Sequence, residues 1–115
     1  MRTLLVRLSV VLTTALGFAP NAHCADPYPS RAIKLIAPYT PGGPADVRAR
    51  WLAQQLSPVL GQPVVVDNRA GAGGVIGTQV AAQSAPDGYT LVMAQEGTLA
   101  FAPHLYAHLA YDPLN

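Results

Sequence analysis

Two neighbouring glycines interrupt the stretch Tyr39-Thr40-Pro41-Gly42-Gly43-Pro44-Ala45-Asp46, which decides how the chain folds. The apolar run Ile33 to Pro38 before it has the length of a buried strand, and a helical pattern runs from Ala45 to Leu60 after it. Pro44 suits the first position of a helix, because the amide that proline lacks would have no partner there. Asp46 falls in the first turn, where a negative charge is favoured. The sequence therefore predicts a strand that turns directly into a helix, with free backbone N–H groups at the turn.

The composition is that of one small globular domain. The chain has 115 residues, of which 50% are hydrophobic and 11% are charged, and its formal net charge is +1. The sequence contains no basic stripe and no run of like charges that would neutralise phosphates, so we expect no nucleic-acid partner.

Residues 1–25 have the pattern of a cleaved export signal. Two arginines precede the apolar run Leu8 to Phe18, and Asn21 to Ala25 offers small residues for cleavage. The apolar run is shorter than the roughly 18 residues that span a bilayer. We expect cleavage after Cys24 or Ala25 and a periplasmic mature protein without cysteine, hence without disulfides. Lipid modification of Cys24 is the alternative.

The rest of the chain alternates between strand and helix patterns. The predicted order is the first strand and helix, a strand at Pro63 to Asp67, a helix at Val75 to Ser84, a strand at Tyr89 to Ala94, and an irregular tail with one or two helical turns. Right-handed crossovers between such strands generate a parallel sheet. The fold class is therefore α/β, a parallel βαβαβ sheet, with spatial order 2-1-3 if the second crossover returns past the first strand.

Helical spacing also predicts which faces are buried. In the first helix the larger apolar residues are expected to face the sheet, Trp51 is expected in the core, and Pro58 is expected to bend the helix or end it early. The expected buried face consists of Val47, Trp51, Leu52, Leu56, Val59 and Leu60, with Arg48, Arg50 and Gln54 largely opposite. In the second helix the expected apolar face is Ile76, Val80 and Ala81.

The loops that follow the three strands form the predicted binding site. Ligands of such sheets bind outside the carboxyl ends of the strands, where the strand order reverses. Four or five backbone N–H donors at these loops would supply about 6–15 kcal/mol to an anion, and micromolar binding needs about 8 kcal/mol. The predicted ligand contacts are Tyr39, Thr40, Pro41, Gly42, Gly43, Ala70, Gly71, Ala72, Gly73, Gly74, Gln95, Glu96, Gly97 and Thr98.

Several motifs along the whole mature chain resemble one receptor family. They are Tyr28-Pro29-Ser30-Arg31-Ala32-Ile33-Lys34-Leu35-Ile36, Pro41-Gly42-Gly43 with Asp46, Leu60-Gly61-Gln62-Pro63-Val64-Val65-Val66, Asn68-Arg69-Ala70-Gly71-Ala72-Gly73-Gly74, Ile76-Gly77, Ala85-Pro86-Asp87-Gly88-Tyr89-Thr90-Leu91, Leu105-Tyr106 and Tyr111-Asp112-Pro113. Together they resemble the N-terminal part of Bug-type solute-binding receptors of tripartite tricarboxylate transporters. Ala70 stands where the family commonly has proline.

The resemblance implies a fold, a ligand class and partners. Residues 26–115 would form part of the N-terminal lobe of a type II periplasmic binding protein, whose second lobe closes over the ligand like a hinge. The ligand would be a small carboxylate held by the three loops, the partners would be membrane transporter subunits, and the receptor would be a monomer without catalytic role, metal or cofactor.

Other interpretations of single motifs remain open. The glycines from Gly71 to Gly77 do not have dinucleotide-binding register, because Ile76 stands three residues after Gly73, but they would also suit close helix–strand packing. Arg69 would pair with a ligand carboxylate or brace its loop through Asp67. Asp46 is interpreted as a helix-end charge, and Glu96 as a ligand contact or a solvated acid. His104 and His108 have the i, i+4 spacing of metal ligands on a helix, but a solvated pair is the preferred interpretation.

Two other functions remain as alternatives. One is a small exported α/β enzyme or enzyme fragment, with Glu96 or Asp46 as general base. The other is a truncated product without function.

Overall fold

The computed structural model describes residues 27–114, so the predicted export signal at residues 1–25 lies outside the described part. The predicted alternation of strands and helices is confirmed within it. The elements in chain order are β1 (Ile33–Ala37), α1 (Pro44–Leu60), β2 (Val64–Asn68), a 3₁₀ turn (Ala72–Gly74), α2 (Val75–Ala82), β3 (Thr90–Val92), a π-helical turn (Gly97–Phe101) and α3 (Ala102–Leu105).

The three strands form a parallel sheet in the order β2-β1-β3, as predicted. Leu35 of β1 lies beside Val66 on one side and Leu91 on the other. Four of the five residues of the central strand are apolar and buried, and the fifth, Lys34, is exposed. Because all strands run in the same direction, the loops after β1, β2 and β3 leave the sheet at the same edge.

Helix α1 continues to Leu60, so the prediction that Pro58 would end it early is wrong. Proline lacks a backbone N–H group, so the helix loses one hydrogen-bond donor at position 58. Only two residues of the helix follow Pro58, so this loss does not end the helix before Leu60. The hydroxyl of Ser57 donates to the carbonyl of Ala53 at 2.7 Å and accepts from the amide of Val64 at 3.0 Å. This hydroxyl therefore ties the end of the helix to the start of β2. Gly61 then ends the helix in the left-handed conformation, at φ 66°.

The buried face of α1 is rotated from the predicted one. Ala45, Ala49 and Ala53 are buried, and three leucines at positions 52, 56 and 60 pack at the margin of the core. Trp51 is 62% exposed and the other two predicted core residues, Val47 and Val59, are also exposed, so the prediction that they are core residues is wrong. The small alanine side chains let the helix axis approach the sheet closely, which larger side chains on that face would prevent.

Helix α2 packs in the same way. Its buried residues are Gly77 and Thr78, whereas Ile76 and Val80 of the predicted apolar face are exposed. A Cβ on Gly77 would lie 2.6 Å from the Cβ of Pro38, so only glycine fits at this contact. The interpretation of glycine as a helix–strand packing residue therefore holds at position 77. In residues 27–114 we find no helix with the length and hydropathy that crossing a bilayer requires.

Candidate functional site

The three loops at the carboxyl edge of the sheet contact one another. A Cβ on Gly74 would lie 2.9 Å from Cγ2 of Thr98 and 3.0 Å from the hydroxyl oxygen of Tyr39. Tyr39 follows β1, Gly74 belongs to the loop after β2, and Thr98 belongs to the loop after β3. The predicted convergence of these loops is therefore present in the structure.

A depression of about 360 Å³ lies beside this contact, between the first and third loops. It is lined by Tyr39, Thr40, Gly43, Pro44, Ala45, Arg48 and Gln95. Arg48 is exposed, in agreement with its predicted place on the side of α1 away from the sheet, and it also lines this depression. Its guanidinium group forms no ion pair with any residue in the described part of the chain. The depression thus combines the start of a helix with a positive side chain, and both attract anions.

Asp46 is buried beneath the first loop and accepts three hydrogen bonds. Its Oδ2 accepts from the amide of Gly42 and from Nε of Arg50, both at 2.9 Å, and its Oδ1 accepts from Nδ2 of Asn68 at 2.9 Å. The bond from Arg50, followed by those from Gly42 and Asn68, lowers the pKa of Asp46 to about 2. Asp46 does lie in the first helical turn, but its carboxylate is fully engaged. A carboxylate with so low a pKa is a poor general base at neutral pH.

The second loop has an unusual backbone. Each residue from Gly71 to Gly74 has a positive φ, including Ala72 at 47°. A non-glycine residue in the left-handed region costs about 1–2 kcal/mol. Ala72 and Gly73 are exposed, and within residues 27–114 their amides have no acceptor. Successive amides in such conformations form concavities that bind anions.

The third loop is held by a residue from the tail. Thr98 is fully buried, and its amide and hydroxyl both donate to the carbonyl of Gln95 at 3.1 Å. The hydroxyl of Tyr111 donates to the carbonyl of Thr98 at 2.7 Å. Burial raises the pKa of Tyr111. The hydroxyl of Tyr106 makes a longer contact, 3.4 Å, to the carbonyl of Ala72 in the second loop.

Sequence reasoning placed Asn68 at the start of the loop after the second strand, and it treated Tyr106 and Tyr111 only as parts of the family resemblance. The Asn68 amide donates to Tyr39 and Asp46 at the first loop, and the hydroxyls of Tyr106 and Tyr111 donate to carbonyls of the second and third loops. No spacing rule links positions so far apart in the chain. The signal available was the presence of two tyrosines shortly after the third loop, where a hydroxyl needs a partner when buried.

Four of the predicted amide donors are occupied by the protein itself, which corrects the expectation that the loops present free amides throughout. The amide of Gly42 donates to Asp46, that of Gly43 to Thr40, that of Gly74 to Gly71 and that of Thr98 to Gln95. The first turn of each loop closes on itself, and this internal bonding leaves fewer amides for a ligand than the glycine content suggests.

The remaining predicted contacts are distributed around the same edge. Thr40, Pro41, Ala70 and Glu96 are exposed, whereas Tyr39, Gly71, Gln95 and Gly97 are half-buried. Gly97 and Thr98 lie in the π-helical turn, so the residues between β3 and this turn are 93–96 and not the predicted 95–98.

Two open interpretations outside these contacts are resolved. Nε of Arg69 donates to both carboxylate oxygens of Asp67 at 3.1 Å, which confirms that Arg69 braces its loop. His104 and His108 are exposed and do not share a helix, because α3 ends at Leu105. The described residues contain no group of three or more side chains arranged to hold a metal ion.

A parallel sheet with polar and glycine-rich loops gathered at its carboxyl edge is the architecture of a ligand-binding α/β lobe. Residues 48–115 match the family described as "Tripartite tricarboxylate transporter family receptor", TctC, and the chain belongs to this family. The resemblance to Bug-type receptors is thereby confirmed.

Relatives of known name agree with this assignment. The chain is 49% identical to protein BugT of Bordetella pertussis over 115 residues, which is 99% of this chain and 35% of BugT. It is similar to the structure of the periplasmic binding protein BugD, with 44% identity and a TM-score of 0.72 over 75% of this chain and 28% of that one. MatC from Rhodopseudomonas palustris with bound malate is 38% identical with a TM-score of 0.71, over 75% of this chain and 29% of MatC. The chain thus spans about a third of the length of the relatives that it matches.

Proposed function

We propose that this chain supplies one wall of the ligand cleft of a periplasmic receptor that captures a small carboxylate. The observation that carries the proposal is the contact of Tyr39, Gly74 and Thr98, which gathers three loops at the carboxyl edge of the sheet. Membership of the TctC family and the bound malate of the related MatC support a carboxylate as the ligand. The chain acts by binding and has no catalytic role.

The second loop is the best candidate for direct contact with the carboxylate. The exposed amides of Ala72 and Gly73 are adjacent, and both lie in left-handed conformations that turn successive N–H groups to the same side. The hydroxyls of Tyr39 and Thr40 and the guanidinium of Arg48 lie at the neighbouring first loop. Gly42 and Gly43, whose amides are occupied, act by shaping the loop.

The small number of free amides sets the affinity of this wall alone. Two hydrogen bonds to a charged group contribute about 3–6 kcal/mol in total before the cost of association. We therefore expect the chain by itself to bind carboxylates in the millimolar range, near −4 kcal/mol. In the receptor a second lobe closes over the ligand, excludes water and adds donors, and the closed form docks on membrane transporter subunits.

Export to the periplasm through a signal at residues 1–25 is part of the same proposal, and the receptor is expected to act as a monomer. The remaining predicted contacts, Pro41, Ala70, Gly71, Gly74, Gln95, Glu96, Gly97 and Thr98, would form the rest of the cleft wall.

The proposal is tested by titrating the ¹⁵N-labelled chain with acetate, malate and citrate and following amide resonances by NMR. The expected result is fast-exchange shifts at Ala72 and Gly73, with dissociation constants in the millimolar range. Shifts confined to residues at the opposite edge of the sheet, or no shifts with any of the three acids, would contradict the proposed site. Micromolar affinity in calorimetry would show instead that no second lobe is needed.

A further inference from the structure

A buried carboxylate lies directly beneath a loop that we assign to anion binding. The side chain of Asp46 is only 5% exposed, and it accepts the Gly42 amide from within the loop Tyr39 to Gly43. An isolated negative charge at this position would repel a carboxylate ligand, and the repulsion would be strong because the site is partly shielded from water. The structure must therefore compensate this charge.

The compensation comes from Arg50 and Asn68. Arg50 lies one helical turn after Asp46 and pairs with it at 2.9 Å, so the pair carries no net charge. Nη2 of Arg50 also donates to Oδ1 of Asn68 at 3.1 Å. Both oxygens of the carboxylate are thus engaged, and in residues 27–114 no buried polar side-chain atom lacks a hydrogen-bond partner.

The same network connects two of the ligand loops. Nδ2 of Asn68, the last residue of β2, donates both to Asp46 and to the carbonyl of Tyr39 at 3.2 Å. Asp46 in turn holds Gly42. The loop after β1, the end of β2 and the first turn of α1 are therefore joined through the Asp46 carboxylate and the Asn68 side chain.

We propose, on the basis of the proposed carboxylate site, that Asp46 is a positioning residue that holds the first ligand loop in its binding shape, and that Arg50 makes this acid compatible with an anionic ligand. Asp46 does not touch the ligand. It fixes Gly42 and, through Asn68, the carbonyl of Tyr39, while Arg50 cancels its charge.

Four variants of the chain separate these roles. D46N keeps the shape of the side chain but cannot accept from Arg50 through its amide nitrogen, R50Q leaves the acid without its counter-charge, and D46N/R50Q removes both charges. D87N is the matched control, because Asp87 forms an exposed ion pair with Arg31 at the opposite edge of the sheet, away from the ligand loops. Each variant is titrated with malate at low and high salt, and hydrogen exchange of the Gly42 amide is measured by NMR.

We expect faster exchange at Gly42 and about tenfold weaker malate binding in D46N, with little change in D87N. R50Q should bind malate more weakly than D46N/R50Q, and the difference should shrink at high salt because salt screens the uncompensated charge. A purely structural role would instead weaken R50Q and the double variant alike, without dependence on salt.

Unchanged malate binding in D46N despite faster exchange at Gly42 would overturn the positioning role. Failure of the unmodified chain to bind malate, acetate or citrate would overturn the proposed function and this role with it, and the unmodified control distinguishes that case. Gly42 exchange that is the same in D46N as in the unmodified chain would show that Asp46 does not hold the loop.

Discussion

The hydroxyl of Tyr39 lies against the backbone of Gly74, so close that a Cβ at position 74 would be 3.0 Å from the hydroxyl oxygen. The same Cβ would be 2.9 Å from Thr98. A single hydrogen atom in place of a side chain thus allows three loops to meet. Gly74 also has φ 97°, which side chains rarely adopt, so two independent constraints select glycine there.

The first prediction compares G74A with G73A. Both substitutions place alanine at a positive φ, which costs about 1–2 kcal/mol. Only the added Cβ of G74A would also clash with Tyr39 and Thr98, whereas a Cβ on Gly73 would have no heavy atom within 4 Å. Chemical denaturation should therefore show a loss for G74A that exceeds that for G73A by about 1–3 kcal/mol. Equal losses would mean that the loops can separate without cost.

Sequence reasoning recovered the topology because the signals that define it are local. The β-branched run at Val64 to Val66, the helix start at Pro44 and the glycines after each strand fix the elements and their order. A parallel order then places all three loops at one edge by necessity. The family resemblance needed only short motifs along the chain, each of which is contiguous in sequence.

The packing of individual side chains could not be predicted from local sequence patterns. The prediction from helical periodicity gave preference to the larger apolar residues and so assigned Trp51 to the core. In the structure the alanines of α1 are buried against the sheet, because their small side chains allow close approach. Asn68 donates to Asp46 from 22 residues further along the chain, and no local pattern predicts that contact. Conversely, the Arg69–Asp67 brace was predictable because its two partners are near in sequence.

The exposure of Trp51 is open to a direct check, since it is the only tryptophan in the chain. With 62% of its surface exposed, its fluorescence should have the red-shifted emission of a hydrated indole and should be quenched readily by acrylamide. Blue-shifted emission that resists the quencher would place Trp51 in an apolar contact and restore the original prediction.

A third prediction concerns the pH dependence of stability. The pKa of Asp46 is lowered from 3.8 to about 2, so the folded state favours the charged carboxylate. Its contribution to stability is therefore complete above about pH 3.8 and is lost as the pH falls toward 2. The difference in unfolding free energy between the unmodified chain and D46N should be constant from neutral pH to about pH 4 and should then shrink. A difference that grows on acidification would have the wrong sign.

The tyrosines of the tail give a fourth prediction. Y111F removes the 2.7 Å hydrogen bond to the carbonyl of Thr98, and this should reduce the unfolding free energy by about 1 kcal/mol. Y106F removes a contact of 3.4 Å, which is at the limit of a hydrogen bond, so it serves as the matched control with a smaller effect. Denaturant titrations of both variants should rank them in this order, and the reverse order would place the main support at the second loop.

The last prediction concerns ligand choice and rests on Arg48. Its guanidinium lines the depression of about 360 Å³ beside Thr40 and Gln95, and it pairs with no acid in residues 27–114. When one carboxylate of a dicarboxylate is held at the second loop, its other carboxylate can pair with this guanidinium. Acetate has only one carboxylate and cannot form this second pair. R48Q should weaken malate binding about threefold, as expected for an exposed ion pair, and should leave acetate binding unchanged.

The control for this prediction is R31Q. Arg31 carries the same charge but lies before β1, at the opposite edge of the sheet, where it pairs with Asp87 at 2.8 Å. Because the two variants have the same net charge, any effect of overall charge on anion binding is common to both. A selective loss of malate affinity in R48Q alone would therefore locate the second carboxylate at the depression. Equal losses in the two variants would reduce the role of Arg48 to its contribution to net charge.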